Sequence, residues 1–136
     1  MTVDKKAERR ALSLRRLRKA KDHLKSAGDL LAADDLADSV SRSYYAVFQG
    51  ARALLAVEGL ESRKHSGVVS LFNRNFVKPG RLEKRIGAIL KDAWRQRELA
   101  DYSDVAEFTR DDAEQLLRDA EVFVATIETL ITVPDS

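Results

Sequence analysis

TRDDAEQLLRDAEVFVATIETLITVP, residues 109–134, places Ala113, Leu116, Leu117, Ala120, Phe123, Val124, Ile127, Leu130 and Ile131 three or four positions apart. Side chains at that spacing return to one face of a helix with 3.6 residues per turn. The segment also carries its own start and stop signals. Thr109 stands where an N-cap belongs, Asp112 three residues on makes a short-armed capping box, and Pro134 lies just past the last apolar residue. A strand would alternate with period two, and no useful length of the chain does.

Working outward, the same period recurs. Ala7, Ala11, Leu14, Leu17, Ala20, Leu24 and Ala27 form a stripe that predicts a first helix over residues 4–27, its small side chains suited to close packing. In the second helix Leu36, Val40, Tyr44, Val47, Phe48, Ala51, Leu54 and Leu55 repeat at helical spacing, with Asp34 as cap, Asp35 at the positive end and Gly59 as the stop. GVVSLFNRNF, after Ser66, predicts a short third helix packed as a lid, which VKPG ends through its Pro and Gly. Leu82, Ile86, Leu90, Ala93 and Trp94 mark a fourth helix over about 81–100, followed by the polar link SDVAEF. The expectation is an all-α, up-and-down bundle of four long helices plus one short helix, with residues 1–136 as one domain.

Composition agrees. Six Gly and two Pro in 136 residues favour long helices over a turn-rich β fold. With no cysteine there is neither a disulfide framework nor a thiolate metal site, and the cytoplasm is the expected compartment. The N-terminal stretch lacks the apolar core of a secretion signal and no run approaches the roughly 20 apolar residues of a membrane span, so no membrane association is expected. Net charge is only +2 but lopsided: residues 1–25 hold ten Lys/Arg against three Asp/Glu, and residues 98–136 hold two against eleven. The basic first helix is suited to phosphates or to the acidic C-terminal segment of its own chain or of a second copy.

Motifs of the common enzymes are missing: no glycine-rich phosphate loop, no nucleophile elbow and no histidine-rich metal spacing. No metal or cofactor is therefore expected. Of the two histidines, His23 beside Asp22 reads as a surface residue without a role, and His65 in SRKHSG reads as a hydrogen-bonding partner for a helix end. SVSRSYYAVFQGARALL is less ordinary, because Arg42 and two serines interrupt an apolar helix around Tyr44 and Tyr45. Tyr44 continues the core stripe; Tyr45, about 100° round the helix, faces a groove or interface with its hydroxyl bonded. WRQRELADY, residues 94–102, sets Arg95, Arg97, Asp101 and Tyr102 at the end of the fourth helix. Arg97 and Asp101 are one turn apart and pair, yet Arg before Asp is the less favourable order for the helix dipole, so a partly buried pair at an interface explains them better than helix stabilisation.

SRSYYAVFQGARALL, then KHSGVVSLFNRNFVKPG, then RELADY and a closing amphipathic helix, together resemble a HEPN domain over roughly residues 10–132, specifically the small stand-alone prokaryotic group. The resemblance implies a helical bundle that forms a homodimer, a minimal nucleotidyltransferase as toxin–antitoxin partner, and, in many members, metal-independent cleavage of RNA. The family's nuclease motif is an Arg followed after four to six residues by a His. After Arg97 those positions hold Tyr102, Ser103 and Asp104, and after Arg95 they hold Ala100, Asp101 and Tyr102. RELADY is thus a degenerate form of the site. Arg97 can stabilise a phosphorane, but no histidine in the window moves the 2′-hydroxyl proton, and an arginine one turn away makes Asp101 a weaker base.

Three readings follow. The first is a dimeric binding module of a toxin–antitoxin or related defence pair, more binder than enzyme, with RNA contacts through Arg42, Tyr45, Arg95 and Arg97. The second is a metal-independent ribonuclease in which His65, from another helix, serves as the displaced base beside Arg97, Asp101 and Tyr102. The third is a purely structural helical dimer whose charged groove is an ion-pair network.

Overall fold

The structure is a computed structural model, describing residues 4–102 and 108–132. Five α-helices follow in order: α1 Lys5–Ala32, α2 Leu36–Val57, α3 His65–Phe72, α4 Lys84–Tyr102 and α5 Arg110–Thr132, with a π-helical turn Asn73–Val77 continuing α3. No strand occurs among the described residues, so the all-α expectation holds. Pro134 and most of the link between α4 and α5 lie outside them.

Helix α2 is central, packing against α1, α3, α4 and α5. It buries Val40, Tyr44, Val47, Phe48, Ala51, Leu54 and Leu55 as their spacing requires. Small residues round the rest of its circumference let neighbours approach: a Cβ added at Gly50 would stand 3.3 Å from Cε1 of Phe123 on α5. Helix α5 buries all of its predicted stripe except the exposed Leu130. Its N-terminus carries the expected box, with the Asp112 amide donating to Thr109 Oγ1 at 3.1 Å and the Thr109 amide to Asp112 Oδ2 at 3.2 Å.

Helix α1 departs from expectation. It runs through Gly28 to Ala32, and in its first half the buried face is Ser13, Arg16 and Leu17, while Ala7, Ala11 and Leu14 are exposed. The reason is polar. Ser13 Oγ donates to the Ala53 carbonyl at 2.7 Å and Ser39 Oγ to the Ala27 carbonyl at 2.8 Å, so two buried serines bind α1 to α2 where small side chains permit contact.

The α1–α2 turn is also shifted by one residue. Asp34 takes a left-handed conformation (φ 64°) and accepts from Arg110 at 3.2 Å, leaving Asp35 at the N-cap position without a side-chain cap bond. Helix α2 ends at the positive-φ Gly59 as predicted. The loop beyond it is tied down by Glu61, which accepts from Arg16 of α1 at 2.5 Å and Arg52 of α2 at 3.0 Å. These bonds, those from Arg16 first, hold the Glu61 carboxyl below its usual pKa.

Helix α3 is part of the core and not a lid. Val68, Val69, Phe72 and Phe76 are buried, and the Phe72 ring lies 5.5 Å from that of Phe123. Helix α4 starts at Lys84, three residues later than expected. Arg81 precedes it, paired with Glu58 at 2.5 Å and stacked over Phe76 at 4.4 Å.

Candidate functional site

Helices α1, α2, α3 and α4 each send a side chain to one place. Tyr44, fully buried on α2, points its hydroxyl at the first residue of α3, and its oxygen lies 2.7 Å from His65 Nδ1. From α4, the Arg97 guanidinium carbon sits 5.2 Å from the Tyr44 ring centre and 5.1 Å from that of Tyr45. Arg97 Nη2 donates to the Tyr45 hydroxyl at 2.9 Å and meets Asp101 Oδ2 at 3.2 Å. From α1, His23 brings its ring 5.7 Å from that of Tyr45, and Arg42 Nη1 approaches His23 Nδ1 at 3.4 Å.

The reason for a guanidinium near the buried face is now visible. Its plane rests on two tyrosine faces, whose quadrupoles attract a cation, and a carboxylate one turn on answers its charge. Arg97 Nε is buried with no acceptor, and Nη1 has none among the described residues. The arginine is therefore positioned by stacking and one edge, with part of its donor capacity unused.

Electrostatics set the charge states. Burial raises the Tyr44 pKa far above that of a free phenol, with Arg97 pulling the other way, so Tyr44 keeps its proton. Burial first, then Arg97 and Arg52, lowers the pKa of His65, so its ring is neutral at pH 7. Between a protonated phenol and a neutral imidazole the bond has two forms: Tyr44 donates to Nδ1 and the ring proton stands on Nε2, or Nδ1–H donates to the Tyr44 oxygen and Nε2 is bare. In the first form the outer nitrogen of His65 is a donor; in the second it is the lone pair that a general base presents. His23 is likewise lowered by burial and by Arg42, opposed by Asp22.

The candidates read from sequence divide here. Arg97, Asp101, Tyr45 and His65 come together, with Arg42 at the rim. Arg95 is exposed and joins none of these contacts, and Tyr102 is 84% exposed. His65 bonds a tyrosine hydroxyl and not a helix end. His23, expected to be a bystander, packs on Tyr45; the only signal in the sequence was that it shares a face of α1 with Ala20 and Ala27, both buried against the bundle. Trp94 and Tyr45 are partly buried against the core, and Leu99 is 49% exposed.

Comparison with known proteins identifies the family. The chain is 40% identical over 114 residues to a "UPF0332 protein" of Thermotoga maritima, covering 84% of this chain and 86% of that one. It is 36% identical over 109 residues to a Methanocaldococcus jannaschii protein named "Putative toxin MJ0605", covering 80% and 81% of the two chains. A second protein of that organism, "Putative toxin MJ0142", is 31% identical over 108 residues, covering 79% and 74%. The HEPN domain family matches residues 13–130, nearly the whole described bundle, and the chain belongs to that family.

Proposed function

We propose that this HEPN protein is a binding module of a toxin–antitoxin type pair that holds single-stranded RNA at the Arg97–His65–Arg42 cluster without cutting it. The observation that carries the reading is the Tyr44–His65 bond. With Tyr44 as its donor, His65 Nε2 is an N–H on the same ring that Arg97 rests on, and Arg97 Nη1 has no acceptor among the described residues, a set that suits phosphate oxygens. Proton abstraction from a 2′-hydroxyl needs a lone pair, and in this tautomer Nε2 carries an N–H. The toxin names of two relatives support the toxin side of the pair. A nucleotidyltransferase partner follows from the family resemblance. A homodimer is supported by the exposed Leu99 and Tyr102 at the end of α4.

One observation favours the ribonuclease reading: His65 and Arg97 both lie against the Tyr44 ring, at 5.7 and 5.2 Å from its centre. A change of tautomer, with Nδ1–H donating to the Tyr44 oxygen, would free Nε2 to act as base. Incubation with single-stranded RNA in EDTA, followed by electrophoresis, separates the two. Intact RNA is expected. Cleavage that vanishes in both Arg97→Ala and His65→Ala would establish the ribonuclease.

A further inference from the structure

Leu130 continues the apolar stripe of α5 and Val57 closes the apolar run of α2, yet both are exposed. They stand at the mouth of a recess of about 260 Å³ at the end of the bundle where α1 begins and α2 and α5 stop. Leu54 of α2, Phe76 of the π-helical turn and Ile131 of α5, all buried, line it. Leu54 is ten residues along α2 from Tyr44, about 15 Å at the helical rise, so the recess is separate from the Arg97 cluster and does not depend on the RNA reading.

The charged groups of the lining are Lys6, Arg10, Arg81 and Glu58. Cations belong where helices end, because the last carbonyls are negative. Arg81 is also accounted for by the fold, paired with Glu58 and stacked over Phe76. Arg10 is only partly accounted for. Its Nη1 donates to the Ile131 carbonyl at 3.3 Å, a long bond to a neutral group. Its Nε and Nη2 have no acceptor, and the guanidinium no carboxylate, among the described residues.

An apolar recess with one uncompensated guanidinium at its mouth complements a single anionic group on an apolar body. The body leaves water for Leu54, Phe76 and Ile131, and a carboxylate accepts from the open Nε–Nη2 edge of Arg10. A polyanion gains nothing from the apolar walls, and a neutral amphiphile leaves Arg10 unanswered. We propose that the recess binds a small amphipathic monocarboxylate, a straight-chain fatty acid of about eight carbons, the length that fills it at roughly 30 Å³ per water-sized group.

NMR titration of the nitrogen-15-labelled protein tests this with butanoate, hexanoate, octanoate and dodecanoate, and with octan-1-ol and octylammonium as neutral and cationic probes. Saturable shifts are expected at the amides of Val57, Leu130 and Ile131. Affinity is expected to rise about fourfold per methylene from butanoate to octanoate, with no further gain in dodecanoate. Octanoate is expected to bind about tenfold tighter than octan-1-ol, the effect of a hydrogen bond to a charged group, and octylammonium not to bind. Arg10→Gln, at an exposed position, is expected to bring octanoate down to the affinity of octan-1-ol. Val57→Trp, an exposed change that fills the mouth, is expected to abolish binding of both. Equal affinity of the wild-type protein for octanoate and octan-1-ol, or octanoate binding unchanged in Arg10→Gln, overturns the anionic ligand. Shifts that do not saturate, or that centre on Tyr45 and Arg97, overturn the site. Shifts of Val57 and Leu130 with protein concentration alone assign the recess to a second copy of the chain and overturn the proposal.

Discussion

The Tyr44 oxygen and His65 Nδ1 stand 2.7 Å apart, with the two rings inclined at 25°, across a separation of 21 residues. This bond joins the middle of α2 to the first residue of α3 and engages Nδ1 of His65. Tyr44→Phe keeps the ring and removes the hydroxyl, so the core should survive at a cost of about 1 kcal/mol. A bond donated to the neutral imidazole favours that form, and its removal is expected to raise the His65 pKa toward the ordinary histidine value. NMR titration of the two histidines checks this. An unchanged His65 pKa in Tyr44→Phe would mean that the phenol does not donate.

Both histidines titrate in the folded protein below the ordinary histidine value of about 6.5. Between the folded values and about pH 6.5 the unfolded chain binds more protons than the native one, so stability rises with pH through that window and levels off above it. Thermal melts between about pH 5 and 8 are expected to show the lowest Tm at the acid end, and a His23→Gln, His65→Gln double variant a flatter profile. The lowered Glu61 pKa acts only at more acid values. A wild-type Tm that climbs as pH falls from about 7 to 5.5 would contradict the shifts.

Arg97 and Arg95 are two residues apart on α4 and differ in every contact. Arg97 rests on two tyrosine rings and pairs with Asp101, and Arg95 touches nothing comparable. Arg97→Ala is expected to destabilise the fold by about 1–3 kcal/mol, and Arg95→Ala by under about 0.5 kcal/mol. Urea denaturation of the two variants provides the comparison. Equal midpoints would show that the ring stacking contributes nothing to stability.

At the end of α4, Leu99 is 49% and Tyr102 84% exposed, an apolar edge that a second copy would cover. Light scattering at tens of micromolar is expected to give twice the 15.3 kDa chain mass, and Leu99→Glu with Tyr102→Glu to give the single mass. A wild-type monomer at that concentration would remove the symmetric interface.

How much of this was legible in the sequence depends on the range of the interactions. The stripe of α5 and its Thr109–Asp112 box are local, set by residues three and four apart, and appear where they were read. Arg97–Asp101 is local too. The face of α1 was not legible in its first half. Ala11 and Leu14 are more apolar than Ser13 and Arg16, yet the latter are buried, because carbonyls of Ala53 and Arg52 and the Glu61 carboxylate supply their hydrogen bonds. That choice depends on the partner helix. The same holds for the site. Tyr44 with His65, and Tyr45 with His23, are contacts between helices, and nothing in the periodicity of one helix announces which ring its neighbour will bring.

The central claim is that cations of this cluster hold an RNA backbone, and the salt dependence of binding tests it most directly. Single-stranded RNA affinity, measured by anisotropy in EDTA over a range of salt, is expected to fall linearly on logarithmic axes, with a slope of about −0.7 per phosphate contact. Arg42→Ala, at an exposed rim position, and Arg97→Ala should each weaken binding and reduce the slope by about 0.7. Arg118→Ala, exposed on the acidic helix α5, should leave both unchanged. Affinity and slope that are the same in Arg42→Ala and Arg97→Ala as in the wild-type protein would contradict the assignment of RNA binding to this site.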